Sequence, residues 1–185
     1  MKLVRQPNLI IAGVNKAGST SLYAYLSRHP DVCASLTKEI HYFTPIVYGQ
    51  EPGDFGEYLR HFAGCGQERY VMEASPHYFY GGKPLAQAIR RSLGEIRLIF
   101  LLRNPTDRLF SFYRFKKNSL ELDPSITFEA YIERCPRRTR HEREAQGIVW
   151  QRDPYWALEG GFYADYIADW FEEFGPTLRL LFFDD

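Results

Sequence analysis

The chain has 185 residues, enough for one domain with a core of its own but not for two large ones. Hydrophobic residues make up 45% and charged residues 25%, the balance of a globular protein rather than of a disordered or membrane-spanning one. Lys+Arg and Asp+Glu are both 23, so the formal net charge is zero, and nothing in it points to nucleic acid or to an anionic membrane surface. Any anion site has to come from local arrangement.

In chain order, the first apolar run is Leu9 to Val14, too short to cross a membrane and without a signal-peptide cleavage pattern; it reads as a buried strand. Further strand-length runs are Tyr70 to Ala74, Ile96 to Leu102 and Leu178 to Phe183. Between them, apolar residues at helical spacing predict helices over Ser19 to Ser27, Phe55 to Phe62, Pro84 to Leu93, Asp107 to Phe115 and Tyr163 to Phe174. Near-continuous apolar strands alternating with helices predict an α/β fold: a P-loop-like parallel sheet with helices on both faces. Ligands of such sheets bind beyond the carboxyl ends of the strands. One stretch resists this scheme. Arg134 to Arg143 carries five arginines around Pro136, either a solvated connection or a cationic edge. The three cysteines, Cys33, Cys65 and Cys135, are odd in number and lack CxxC spacing, so reduced thiols and a cytoplasmic location are expected.

Two loops carry candidate chemistry. After the first strand comes Gly13-Val14-Asn15-Lys16-Ala17-Gly18-Ser19-Thr20-Ser21, followed at once by a helix. A strand, a glycine-containing loop and a helix N-terminus turn several N–H groups toward one point, and the helix dipole adds positive potential. Lys16 adds a full charge and Ser19, Thr20 and Ser21 add hydroxyls, so the stretch from Lys16 to Ser21 predicts a phosphate site. The frame resembles a nucleotide P-loop, but Ser19 stands where that motif has its lysine. At the end of the third strand Arg103 precedes Asn104, a good N-cap, and Pro105, suited to the first helical position. Ser111 follows eight positions later (111 − 103), about two turns along. A guanidinium fork with a hydroxyl suits a second phosphate.

At these residues the chain resembles the sulfotransferases that use 3′-phosphoadenosine 5′-phosphosulfate (PAPS). GVNKAGSTSL is similar to their loop for the 5′-phosphosulfate, and LLRNPTDRLFSFY to their 3′-phosphate motif. HPDVCASLTKEIHYF, residues 29 to 43, and MEASPHYF, residues 72 to 79, resemble the branch that includes the heparan sulfate enzymes. Gly161-Phe162-Tyr163 resembles a later family segment. Ala74 departs from that branch, which has a lysine there near the acceptor.

The resemblance implies a single PAPS-binding domain over residues 1 to 185, short of a C-terminal closing segment, that moves a sulfuryl group to a hydroxyl or amine, on a carbohydrate or a glycosylated small molecule. It implies Glu39 as base and Lys16 on the developing charge, with His41 orienting Glu39 or binding the same oxygens. Lys16, Ala17, Gly18, Ser19, Thr20, Ser21, Arg103 and Ser111 would hold the cofactor, and Glu73, His77 and Tyr78 the acceptor. The product would be 3′-phosphoadenosine 5′-phosphate. No cluster has metal-ligand spacing in the sequence, so no metal is expected. A P-loop kinase and a non-catalytic nucleotide-binding module stay as alternatives, and the oligomeric state is open.

Overall fold

The computed structural model describes residues 5–137, 142 and 153–183. The strands are β1 (Leu9–Gly13), β2 (Val32–Ala34), β3 (Tyr70–Ala74), β4 (Arg97–Leu102) and β5 (Leu178–Phe182). The helices are α1 (Ser19–Leu26), α2 (Phe55–Arg60), α3 (Gly82–Leu93), α4 (Pro105–Asn118), α5 (Phe128–Arg134) and α6 (Ala164–Phe174), with 3₁₀ turns at Thr44–Tyr48, Pro76–Gly81, Glu159–Gly161 and Gly175–Thr177. All five strands form one sheet in the order β2-β3-β1-β4-β5, and every pairing is parallel. The α/β expectation holds. The four expected strands and five expected helices are present with ends shifted by no more than three residues. The sheet also has β2, and the chain has α5, neither of which the sequence pattern exposed. Three residues at a sheet edge are too few to show a period.

The chain folds as two compact units: residues up to 102 with 166–183, and residues 103–165. The sheet lies wholly in the first. β1 is its centre and is buried along its whole length. Because side chains alternate across a strand, Leu9 and Ile11 face one layer with Val32, Met72 and Ala74, covered by Leu22, Tyr23 and Leu26 of α1. Phe100 points the other way. Its ring meets Phe79 at 5.0 Å and Trp170 of α6 at 5.3 Å, and the Trp170 indole N–H donates to the Phe79 carbonyl at 2.9 Å. Helices therefore cover both faces of the sheet.

In the second unit, Arg108 is fully buried. Its guanidinium donates to the Ala157 carbonyl at 2.5 Å and lies over the Trp156 ring. Tyr131 donates to the Pro154 carbonyl at 2.9 Å, tying α5 to the segment ahead of Trp156. Of the basic stretch, Arg134 donates to the Tyr155 hydroxyl at 3.3 Å, while Arg138, Arg140 and Arg143 lie outside the described residues.

The cysteine expectation is corrected. Cys33 on β2 and Cys65 after α2 form a disulfide, and Cys135 is a buried free thiol. Sequence spacing gave no sign of it because the partners are 32 residues apart and meet only when the edge strand is in place. Among the described residues, no helix is long and apolar enough to cross a membrane.

Candidate active site

The loop after β1 forms as its residues dictate. Val14 N–H donates to the Leu101 carbonyl at 2.9 Å, and the Asn15 side chain accepts from Tyr80 at 3.3 Å. Lys16 has φ 65° and Gly18 φ 87°, both left-handed. Gly18 is the N-cap of α1; a Cβ there would lie 2.5 Å from the Phe183 ring. Glycine is thus required twice over, by conformation and by space. Gly18 brings no side-chain acceptor to the helix end, and no acidic residue stands in the first turn. Lys16 is half-buried, Ala17 and Ser19 are buried, and Thr20 and Ser21 are exposed.

Glu39 and His41 lie in a segment without regular structure, at the carboxyl end of the neighbouring strand β3. Glu39 N–H donates to the Ala74 carbonyl at 2.8 Å, His41 N–H to Ser75 Oγ at 3.3 Å, and Phe43 N–H to the Tyr78 hydroxyl at 3.3 Å. Ser75 N–H in turn donates to Ile11 of β1 at 3.1 Å. The phosphate-type loop and the Glu39 segment therefore sit at the same end of two adjacent parallel strands. Glu39 (φ 61°) and His41 (φ 58°) are both left-handed non-glycine residues, a conformation that persists only where surroundings impose it.

The Glu39 side chain is 38% exposed, open enough to meet a substrate. Oε2 lies 3.5 Å from His41 Nε2, and Oε1 contacts the Lys38 ammonium. These two partners, His41 first, outweigh burial and hold its pKa down at about 2, so it is ionised. His41 Nδ1 lies 3.5 Å from Thr44 Oγ1, and its ring stands 5.3 Å from the His77 ring.

Two of the residues expected at the acceptor, Glu73 and Tyr78, are fully buried. Glu73 accepts from Tyr58 on one oxygen and from Ser75 and Tyr78, both at 2.8 Å, on the other. Burial pushes its carboxyl upward despite these donors, and pushes the Tyr58 and Tyr78 hydroxyls well up too. This cluster supports the Glu39 segment from beneath. Of the three expected acceptor residues only His77 is partly exposed. The sequence did not reveal Tyr58 or Ser75, since their link to Glu73 is tertiary. Nor did it reveal the Glu39, His41 and His77 group, whose ligand-type atoms all lie within 4.8 Å of one another. Linear spacing hid that group, because His77 is remote in sequence.

The second unit shows Asn104 capping α4, its Oδ1 accepting from Thr106 N–H at 2.9 Å, with Pro105 at the first helical position. Arg103 is half-buried and follows β4 directly; its carbonyl accepts from Tyr163 at 2.9 Å. Ser111 is half-buried on α4.

A family model described as "Sulfotransferase domain" matches residues 6–183. The chain is 32% identical over 133 residues to the membrane-associated sulfotransferase kil1 of Dictyostelium discoideum, covering 71% of this chain and 28% of that protein. It is 31% identical over 179 residues to human heparan sulfate glucosamine 3-O-sulfotransferase 3B1, covering 95% of this chain and 40% of that protein. The chain thus spans well under half of either relative. A crystal structure of a sulfotransferase from Alicyclobacillus acidocaldarius superimposes with a TM-score of 0.82 at 27% identity, covering 98% of this chain and 74% of that one. An ordinary P-loop kinase gives way to these findings: the chain belongs to the sulfotransferase domain family.

Proposed function

We propose that this protein transfers a sulfuryl group from PAPS to a hydroxyl or amine of a carbohydrate or glycosylated small molecule, with Glu39 as general base. The observation that carries the reading is an ionised, partly exposed carboxylate held at the same sheet end as a loop shaped for phosphate. The similarity to a heparan sulfate enzyme supports a glycan acceptor.

Glu39 takes the proton of the acceptor O–H or N–H. The acceptor atom attacks sulfur in line, the bond from sulfur to the 5′-phosphate oxygen breaks, and 3′-phosphoadenosine 5′-phosphate leaves with the electron pair. Charge spreads over the sulfuryl oxygens and the bridging oxygen, so positioning and electrostatics carry most of the rate, as in phosphoryl transfer. Lys16, Ala17, Gly18, Ser19, Thr20 and Ser21 are assigned the 5′ end, with Lys16 on the developing charge. Arg103 and Ser111 are assigned the 3′-phosphate. His41 orients Glu39, and His77 faces the acceptor. No metal takes part in this scheme. The Cys33–Cys65 bond supports an oxidising compartment in place of the cytoplasm.

The test is Glu39→Gln, which keeps size but removes basicity. Turnover falls about 10²- to 10⁴-fold, while affinity for 3′-phosphoadenosine 5′-phosphate stays within twofold or so of wild type, because Glu39 touches no phosphate in this assignment. Near-normal turnover removes Glu39 as the base.

A further inference from the structure

We propose that Glu39, His41 and His77 form a three-ligand site for a divalent ion of the zinc class, and that an ion bound there shuts off the base. The second half of this proposal rests on Glu39 acting as the base; the first half does not.

Three observations carry it. The ligand-type atoms of the three side chains lie within 4.8 Å of one another, and Glu39 Oε2 and His41 Nε2 are already 3.5 Å apart. Tetrahedral zinc with bonds of about 2.0–2.1 Å spaces its ligand atoms roughly 3.4 Å apart. One edge of the polyhedron is therefore in place, and the other two span no more than 4.8 Å. All three side chains are partly exposed.

The ligands are also held from behind. His41 Nδ1 lies 3.5 Å from the Thr44 hydroxyl, the kind of partner that fixes a ligating imidazole so that Nε2 faces the ion. Lys38 engages Oε1 and leaves Oε2 on the imidazole side. Glu39 and His41 hang by their amides from Ala74 and Ser75, and His77 lies two residues beyond Ser75 in the 3₁₀ turn Pro76–Gly81. Both ligand segments thus share one anchor at the end of β3, and little ordering is left for the ion to impose.

The donor set selects the ion. Two imidazole nitrogens and one carboxylate oxygen suit zinc-class transition ions and are a poor match for calcium or magnesium, which take oxygen ligands. A bound ion occupies Oε2, the oxygen a proton would otherwise reach, and the transfer loses its base.

The experiment titrates zinc chloride into the intact chain in a non-chelating buffer, followed by calorimetry, with cobalt(II) absorption as a second readout of imidazole ligation. One zinc per chain is expected. Outer-shell partners alone are worth about 10- to 100-fold in metal affinity, so His77→Ala and His41→Ala each weaken binding by at least that much, while His29→Ala and His61→Ala leave it unchanged. Absence of zinc binding, or His77→Ala binding zinc like wild type, overturns the ion site and leaves the role of Glu39 untouched. Zinc bound in the expected pattern with sulfuryl transfer undiminished at saturation overturns the blocking, and with it Glu39 as base, while the ion site stands.

Discussion

Breaking the Cys33–Cys65 bond removes a constraint on the unfolded chain, and the size of the effect follows from the separation of 32 residues. Loop-closure entropy for a ring of that length corresponds to about 3.5–4 kcal/mol at 25 °C. For a chain of this size each kcal/mol moves the melting temperature by about 2–4 °C, so the loss is roughly 7 to 15 °C. The perturbation is Cys33→Ser with Cys65→Ser, measured by thermal unfolding with and without reductant. Wild type in reductant should melt with the double variant, and reductant should leave the double variant unmoved. In denaturant without reductant, thiol titration should find one free cysteine, Cys135, since the other two of the three are paired. Three free thiols, or a double variant as stable as oxidised wild type, would refute the reasoning.

Arg103→Ala removes a charge-assisted fork and should weaken binding of 3′-phosphoadenosine 5′-phosphate by about 2 to 3 kcal/mol; unchanged affinity by calorimetry removes Arg103 from the cofactor site. Gly18→Ala forces a left-handed alanine, costing about 1–2 kcal/mol, and pushes a methyl into the Phe183 ring, so both melting temperature and cofactor affinity should drop. Glu73 has its folded-state pKa raised, chiefly by burial, above the ordinary 4.5. Its contribution to stability is therefore complete below that ordinary value and is lost as pH rises through the folded value. Glu73→Gln should flatten the decline in stability above pH 4.5, and an unchanged slope in denaturant melts counts against the assignment. Because Glu39 is held at about 2, kcat/KM should show no acid limb between pH 4 and 5 from this group.

The parallel sheet was legible because β1, β3 and β4 are buried on both faces and so spell near-continuous apolar runs. The loop from Gly13 to Ser21 was legible for a similar reason: glycine, lysine and hydroxyl residues are required locally, by backbone conformation and charge. Asn104 and Pro105 read as a helix start because capping is a contact between residues two apart. What stayed hidden is tertiary. β2 has three residues and no measurable period. Cys33 and Cys65 meet across a whole sheet edge, and His77 meets His41 only through the turn after β3. A carboxylate at a strand end commonly faces solvent, and nothing in the local sequence shows that the hydroxyls of Tyr58, Ser75 and Tyr78 enclose Glu73.

The attachment of the Glu39 segment to the end of β3 and the turn after it uses every second amide, those of residues 39, 41 and 43. The anchor therefore holds the chain's path without regard to which side chains are mounted on it. Chemistry at positions 39 and 41 can change while the path persists, which makes this stretch an interchangeable mount on a fixed rail. The converse applies to the rail. Ser75 has no part in the transfer scheme, yet Ser75→Ala frees the His41 amide, so if Glu39 is the base as proposed, turnover should fall with no lost charge.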